Sequence, residues 1–330
     1  IKNGKKVSLR LQEYEVLGEY LKTHLEHTFS VTQLETFAKC PFQYLCKQIL
    51  RLKEYREPDA ETASFEYGTL LHSIYEKFYM RWNEEGNPPI QNCDNQVFLQ
   101  AQSMLREVAV KALEEDPLLG PFAFYERENI LGVDQNDPNS LLTLFLNTER
   151  NDTSGFIPKI FEFSFGNPDN PLTEYRFADV KLQGKIDRID LNEEKKSFRV
   201  VDYKSGSLSY VTKKSIRDRV FQLPVYGAAV SEYLKEQSLD DLLYYSLKAV
   251  ENKSGELARK SLAGKGDADV IQNLILAAEE NIKVILQGIR EGSFDLTSLT
   301  YDDICKYCEF DQVCRLHEVS GNDGEAESEE

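Results

Sequence analysis

The sequence predicts an α/β (α+β) fold in which a mixed central sheet is flanked by helices. Two observations support this prediction. Apolar residues recur with helical periodicity through most of the first 149 residues, whereas the apolar–polar alternation typical of strands begins at about residue 159. Further along the chain, predicted strands are interspersed with long helical segments, which is the element order of a sheet covered by helices.

The helices of the first half are predicted from capping and periodicity. A capping-box motif at 32–35 predicts a short helix that ends just before Pro41. A single apolar stripe predicts a helix over 66–82, and similar patterns predict helices over 95–115 and 139–149. All of these helices precede the first predicted strand.

The second half of the chain supplies the sheet. Strands are predicted over 160–165, 180–191, 198–203 and 242–250. The polar segment 192–197 is predicted to be the turn of a hairpin between the second and third of these strands. Helices over 215–235 and 268–291 are expected to flank the sheet.

The composition is that of a globular protein with no membrane span. The chain has 330 residues, 41% of them hydrophobic and 29% charged, and it has no run of apolar residues long enough to cross a bilayer. It lacks the glycine-rich lysine motif of P-loop ATPases. We expect residues 1–28 to be a linker or the end of a preceding domain, 29–316 to form one domain, and 317–330 to be an acidic disordered tail.

The net charge of −17 bears on the choice of partner. Nucleic-acid-binding domains usually have a basic surplus, so this charge argues against an extensive DNA-binding surface. Part of the excess lies in the glutamate-rich tail, and carboxylates that hold divalent cations would account for more, because the bound ions reverse the local sign. DNA affinity would then have to come from a local Lys/Arg groove or from a basic partner protein.

Two carboxylates and a lysine lie on the strands of the predicted hairpin. Asp202 and Lys204 are two residues apart, so both side chains leave the same face of the sheet, and the hairpin would bring Asp187 close to Asp202. Paired carboxylates hold a hard cation such as Mg²⁺ or Mn²⁺, which polarises a phosphate and lowers the pKa of a bound water. A lysine beside them can stabilise the negative charge of the transition state.

The simpler alternative is a solvated hairpin with a surface ion pair, and an Asp-x-Lys motif alone favours it. The neighbouring residues favour a metal site instead. Asp202 follows Val200 and Val201, and Asp187 follows Ile186, so both carboxylates are expected on buried strands. A charge is rarely buried unless it is paired or bound to a metal.

Two pairs of residues four apart on predicted helices could complete such a site. His72 and Glu76 share one helix face, and His72 beside a carboxylate-bound metal could be a third ligand. A hydrogen-bonded helix histidine is the alternative interpretation. Gln222 and Tyr226 could face the same cavity and contact a phosphate or the attacking water, although this spacing carries little information by itself.

Three of the six cysteines cluster near the C-terminus as Cys305-x2-Cys308-x5-Cys314. Such spacing is typical of a metal centre, and Cys40 could supply a fourth ligand. Zinc and iron–sulfur clusters both accept four cysteines, so the spacing leaves both open, together with buried structural thiols. A centre that includes Cys40 would close a loop of more than 260 residues and stabilise the fold, as a long-loop disulfide does.

Five short sequence motifs, followed by the C-terminal cysteines, point to a known protein family. In chain order they are Ser30–Phe42, Gly68–His72, Gly184–Asp190, Val201–Gly206 and Gln222–Tyr226. In order and spacing they resemble the RecB/AddB-type nuclease family, a branch of the PD-(D/E)XK superfamily. The resemblance covers nearly the whole chain, and it implies a restriction-endonuclease-like core with a four-cysteine cluster that joins the N- and C-terminal segments.

The resemblance also implies roles for individual residues. The metal ligands would be His72, Asp187, Asp202 and the backbone carbonyl of Tyr203. The remaining catalytic residues would be Lys204, Gln222 and Tyr226. The ligands of a [4Fe-4S] cluster with a structural role that supports DNA binding would be Cys40, Cys305, Cys308 and Cys314.

The implied function is that of a Mg²⁺- or Mn²⁺-dependent deoxyribonuclease, an exonuclease on DNA ends within a helicase–nuclease that processes double-strand breaks. Its partners would be DNA and a helicase or nuclease subunit, in the cytoplasm at the nucleoid and away from any membrane. Two alternatives remain open: a non-catalytic DNA-binding scaffold with the same fold and cluster, and a zinc-stapled domain with an unrelated role. Every expected motif position is occupied, which argues against the scaffold.

Overall fold

The computed structural model describes residues 15–53, 62–134, 137–212, 215, 218–248, 255–264, 268–296, 305 and 308–314. Within these residues, a seven-stranded mixed sheet has helices on both faces, so the predicted fold class is confirmed. No helix in the described ranges is long and apolar enough to cross a membrane.

The sheet is built around the long strand β4 (Val180–Asn192). The antiparallel strand β2 (Ile157–Phe165) pairs with one edge of β4, and the first residues of β4 pair with β3 (Arg176–Phe177) and with the parallel strand β1 (Phe29–Ser30). On its other edge, β4 forms an antiparallel hairpin with β5 (Ser197–Lys204). The parallel strand β6 (Ser238–Ser246) and then the antiparallel strand β7 (Arg259–Ser261) extend the sheet beyond β5.

The helices form two layers. In chain order the α-helices are α1 (Glu15–His24), α2 (Val31–Lys39), α3 (Pro41–Tyr44), α4 (Thr62–Glu84), α5 (Asn95–Glu115), α6 (Ala123–Leu131), α7 (Leu141–Arg150), α8 (Gln222–Tyr233), α9 (Ala268–Arg290) and α10 (Asp311–Cys314). A π-helix, Leu45–Ile49, follows α3. One core lies between the sheet and α2, α8 and α9, and the second lies between the sheet and α4, α5 and α7.

Alternation along β5 assigns its side chains to the two cores. Phe198 and Val200 belong to the core under α2, α8 and α9, whereas Val201 and Tyr203 belong to the core under α4, α5 and α7. Successive side chains of a strand point to opposite faces, so Asp202 lies on the face of Val200. A strand covered on both faces is apolar in almost every position, which explains the composition of β5.

The helix predicted over 95–115 is confirmed as α5, and the predicted turn at 192–197 joins β4 to β5. The capping box predicted at 32–35 is wrong. Ser30 caps α2 instead: its hydroxyl accepts a hydrogen bond from the Gln33 backbone N–H at 3.2 Å, and the Gln33 side chain accepts one from the Ser30 N–H at 2.9 Å. The motif therefore begins two residues earlier, where the short strand β1 ends.

Other boundaries also differ from the prediction. The helix predicted over 215–235 is interrupted: residues 215 and 218 are helical, 219–221 are not, and a second helix runs over Gln222–Tyr233. Strand β6 begins at Ser238 rather than 242 because its polar first residues also pair with β5. The division of the chain at 28 and 317 stays a prediction. Within the first of these segments, Leu21 of α1 is buried in the core under α9, and 317–330 lie outside the described residues.

A buried ionic network holds the β4–β5 hairpin against α7. The Arg188 guanidinium binds Asp190 at 2.6 and 2.8 Å and Glu149 at 3.0 Å. Arg199 binds the same Asp190 at 2.7 Å and Asp152 at 2.7 Å. Burial alone would lower the pKa of Arg188, but Asp190 and Glu149 raise it well above its ordinary value, so the guanidinium stays charged.

Replacement of this arginine should destabilise the protein strongly. Arg188→Met should lower the free energy of unfolding by about 3–5 kcal/mol, because Glu149 would stay buried without a counter-ion and Asp190 would keep only Arg199. Arg176→Met, whose side chain is 57% exposed on the same sheet, should cost less than about 0.5 kcal/mol. Urea denaturation measures both, and a loss below about 1 kcal/mol for Arg188→Met would contradict the assigned role of the network.

Candidate active site

A cleft of about 520 Å³ lies between the first half of α4 and strands β2, β4 and β5. Its lining consists of Gly68, Thr69, His72, Ser73, Glu76, Glu162, Lys185, Asp187, Tyr203, Lys204 and Ser205. The helix face predicted to carry His72 and Glu76 therefore does face this cleft. Helix α4 approaches the end of β5 closely at Gly68, where an added Cβ atom would lie 3.3 Å from the Cβ atom of Ser205.

Asp187 connects the helix to the hairpin. Its Oδ1 lies 3.2 Å from Nδ1 of His72, and its Oδ2 accepts a hydrogen bond from the backbone N–H of Tyr203 at 2.7 Å. Burial alone would lower the pKa of His72, but the hydrogen bond with Asp187 and its charge raise it above the ordinary value. A cation that binds this pair would compete with the imidazole proton.

Glu162 is a member of this cluster that the sequence analysis missed. Ligand atoms of His72, Glu162 and Asp187 all lie within 4.8 Å of one another. The antiparallel register of β2 and β4 puts Glu162 opposite Asp187, and its backbone has a left-handed φ of 52°. An acidic residue inside the apolar run Ile160–Phe165 was the available signal.

The donor set fits a hard divalent cation. Carboxylate oxygens are the ligands that Mg²⁺ and Mn²⁺ prefer, and the imidazole of His72 adds one nitrogen. Glu162 also forms a close ion pair with Nζ of Lys185, whose side chain is 62% exposed. A metal ion that bound Glu162 would be repelled by this ammonium group, which lies at one of the two carboxylate oxygens.

Asp202 and Lys204 form the second part of the site. Nζ of Lys204 lies 2.6 Å from Oδ2 of Asp202, as the two-residue spacing on β5 predicts. Asp202 is buried, and burial raises its pKa to about 6, while Lys204 opposes the shift and Asp187 adds to it. Among the described residues, the cluster whose ligand atoms lie within 4.8 Å comprises His72, Glu162 and Asp187. Asp202 is not a member of this cluster; its carboxylate contacts Lys204 instead.

A chain of hydrogen bonds leads from Lys204 to α8. Nζ of Lys204 donates to Oε1 of Gln222 at 3.0 Å, and Nε2 of Gln222 donates to the Tyr226 hydroxyl at 3.0 Å. Glu35 holds the start of α8, because its Oε1 accepts the backbone N–H groups of Phe221 and Gln222 at 2.8 Å each. The structure therefore connects the predicted pair, Gln222 and Tyr226, to Lys204. Glu35 supports these contacts and is another residue that the sequence analysis missed.

The C-terminal cysteines lie near Cys40. Burial raises the pKa of Cys305, and the nearby thiols of Cys40, Cys308 and Cys314 raise it further. Cys46, to which the sequence analysis gave no role, borders the same group, since burial and then three of these thiols raise its pKa to about 11. All six cysteines are free of disulfides. Residues from the two ends of the described chain thus meet at these thiols.

Residues 28–315, which make up most of the chain, match the model of the PD-(D/E)XK nuclease superfamily. The chain therefore belongs to this superfamily, and the resemblance noted from its motifs is confirmed.

Curated relatives match the same region. A subunit of the ATP-dependent helicase/deoxyribonuclease of Thermoanaerobacter sp. (strain X514) is 25% identical over 291 residues, which cover 82% of this chain and 24% of the relative. The corresponding subunit from Clostridium novyi (strain NT) is 29% identical over 280 residues, 80% of this chain and 24% of the relative. The chain thus spans about a quarter of the length of these relatives.

One solved structure, that of a candidate exonuclease from Eubacterium rectale, aligns with 85% of this chain and 88% of its own. The TM-score is 0.41 and the sequence identity is 13%. A similarity at this level supports no conclusion about function.

Removing the ammonium group of Lys185 should strengthen metal binding. In Lys185→Ala, Glu162 loses a competing cation, so the affinity for Mn²⁺ should rise about two- to fivefold, as expected for a mostly exposed ion pair. Lys181→Ala, on the same strand and paired with Glu174, is the matched control and should leave the affinity unchanged. Isothermal titration calorimetry measures both variants. An unchanged or weaker affinity in Lys185→Ala would mean that Glu162 is not a ligand.

Proposed function

We propose that this chain is a metal-dependent deoxyribonuclease, an exonuclease that acts on single-stranded DNA ends. The observation that carries the proposal is the cluster of His72, Glu162 and Asp187 beside the Asp202–Lys204 pair. A metal-binding cluster next to a fixed lysine is the arrangement that phosphodiester hydrolysis requires. Membership of the nuclease superfamily supports the same conclusion.

The metal in this proposal is Mg²⁺ or Mn²⁺. Its ligands would be His72, Asp187, Asp202 and the backbone carbonyl of Tyr203, with Glu162 in addition. When bound, it would polarise the scissile phosphate and activate water. A pKa of about 6 leaves Asp202 mostly ionised at neutral pH, so its carboxylate would be available to the cation.

Lys204 would stabilise the negative charge that develops on the phosphate. Burial alone would lower the pKa of Lys204, but Asp202 raises it above its ordinary value, so the ammonium group stays protonated. Gln222 holds the ammonium group, and Tyr226 holds Gln222. Catalysis by a preorganised charge requires such a fixed position, because no energy is then spent on reorientation during the reaction.

The chain would work within a helicase–nuclease that processes double-strand breaks. The relatives are named as subunits of an ATP-dependent helicase/deoxyribonuclease, and this chain corresponds to about a quarter of their length. A helicase partner or domain would supply unwound DNA ends to the cleft. Such work would take place in the cytoplasm, at the nucleoid.

Cys40, Cys305, Cys308 and Cys314 would hold a [4Fe-4S] cluster with a structural role. Their proximity supports a shared centre. A single tetrahedral zinc ion would hold the sulfur atoms about 3.8 Å apart. Among the described residues, no three cysteine sulfur atoms lie within 4.8 Å of one another. The proposal of an iron–sulfur cluster rests on the resemblance to the RecB/AddB-type nucleases, and in such a cluster each thiolate would bind a different iron atom.

Cleavage of end-labelled single-stranded DNA by anaerobically purified protein tests the catalytic proposal. With Mn²⁺ or Mg²⁺ the parent should cut and EDTA should abolish cutting. Lys204→Ala should cut at least about 100-fold more slowly, because a preorganised positive charge is lost. Lys195→Ala, exposed on the β4–β5 turn, should cut like the parent. Circular dichroism should show that both variants fold.

Three results would change the proposal. Cleavage by Lys204→Ala at the parent's rate would mean that the active site is wrongly assigned. A folded parent that binds DNA but cuts none with either metal would favour the non-catalytic scaffold. Cutting of a circular single strand as fast as of a linear one would replace exonuclease by endonuclease action.

The cysteine centre is tested by Cys308→Ala. The parent should be brown and contain about four iron atoms per chain. Cys308→Ala should lose the iron and about 3–4 kcal/mol of stability, as loss of a long-loop cross-link would. Cys93→Ala, which replaces a cysteine outside the group, should keep both properties. A colourless parent that contains zinc, or a Cys308→Ala variant as stable as the parent, would contradict the assignment.

A further inference from the structure

A second cavity, of about 580 Å³, lies between α1, the start of α2 and the π-helix. Its only acidic lining residue among the described ones is Glu309, whereas its basic lining residues are His24, His27, Lys47, Arg51 and Lys53. We call this cavity the basic groove. This groove is basic although the net charge of the whole chain is −17. Most of its lining residues come from residues 1–53, which have nine Lys and Arg against five Asp and Glu.

Only some of these cations have a counter-ion. Nζ of Lys47 lies 2.6 Å from Glu309. Arg51 and Lys53 are exposed, and within the part of the chain that the structure describes no carboxylate lies within 4.0 Å of either. Burial and then the neighbouring cations lower the pKa of His24. A groove whose cations repel one another gains electrostatic energy when it binds an anion.

The basic groove lies beside the strand that leads to the cleft. Phe29 lines the groove, and β1 pairs this residue with Leu182 of β4. Asp187 follows Leu182 by five residues on the same strand, which is about 16 Å at 3.3 Å per residue. Neighbouring phosphates of a strand in duplex DNA are about 3.4 Å apart along the axis, and an extended single strand spans more. About five nucleotides of a strand have the length of this separation along β4.

We infer that the basic groove binds the phosphodiester backbone of the DNA strand whose end occupies the cleft. This inference rests on the proposed nuclease function and adds to it a path for the substrate. Arg51 and Lys53 contact phosphates at the exposed rim. Contacts of this kind do not read bases, so binding is independent of sequence and sensitive to salt. The competing occupant is an acidic segment of another protein. The nearby cleft would add no binding energy for such a segment.

The test compares two double variants that have the same net charge. Arg51→Gln/Lys53→Gln removes two cations from the groove, and Lys195→Gln/Lys196→Gln removes two from the β4–β5 turn. All four side chains are exposed, so both variants should fold. Fluorescence anisotropy with a labelled single strand of about 20 nucleotides, in EDTA, reads binding without cleavage.

We expect the groove variant to bind about 10-fold more weakly at about 0.1 M salt. The slope of log K against log salt should fall by about 1.4, because each lost phosphate contact on a single strand contributes about 0.7. The turn variant should bind like the parent. Equal weakening of both variants, unchanged binding by the groove variant, or weakened binding of oligoglutamate but not of DNA would overturn the inference.

Cleavage assays separate this inference from the proposed function. The loss of kcat/KM in the groove variant should grow with substrate length, from little at about three nucleotides to about 10-fold at about 20, because only the longer strand spans the distance. A parent that binds but cuts neither substrate would refute the catalytic proposal and leave the binding comparison intact. A groove variant that binds and cuts long DNA like an active parent would refute the groove alone.

Discussion

The guanidinium group of Arg188 lies buried between Asp190 of its own strand and Glu149 of α7, and it also donates a hydrogen bond to the Tyr203 hydroxyl at 3.0 Å. One side chain thereby joins both strands of the hairpin to the helical layer. The backbone N–H of Tyr203 in turn orients Asp187. Because loss of Arg188 would leave Glu149 buried without a counter-ion and Asp190 with one partner instead of two, the network favours a single position of the hairpin, and with it of Asp187.

The same hairpin carries both structural charges and candidate catalytic charges on its α4 side. Arg188 contacts Tyr79 of α4 and Glu149 of α7 in the core, whereas its neighbour Asp187 contacts His72 of α4 in the cleft. On β5, Asp202 stands between Val201 and Tyr203, which belong to that same core. A slip of β5 by one residue would turn Asp202 to the face of Val201 and Tyr203, so the buried ion pairs that hold the hairpin also specify the register on which the site depends.

The sequence predicted those parts of the site whose residues lie close together along the chain. The spacing of Asp202 and Lys204 and the hairpin turn were enough to place Asp187 beside them, because a turn of known length sets the register. Glu162 joins this cluster only through the pairing of β2 with β4 and a left-handed backbone, neither of which periodicity reveals. Glu35 supports α8 across 186 residues of sequence, a contact that no local pattern encodes.

The end of a bound strand and the backbone that follows it would be held by separate parts of the fold. The cleft depends on the Arg188 network and on α4, whereas the basic groove depends on α1, the π-helix and the segment that carries Glu309. The Lys47–Glu309 ion pair connects that segment to the π-helix, and Cys308 immediately precedes Glu309. A structural centre at these cysteines would therefore support the groove without touching the cleft, so an acidic chain can hold cations at one place and phosphates at another.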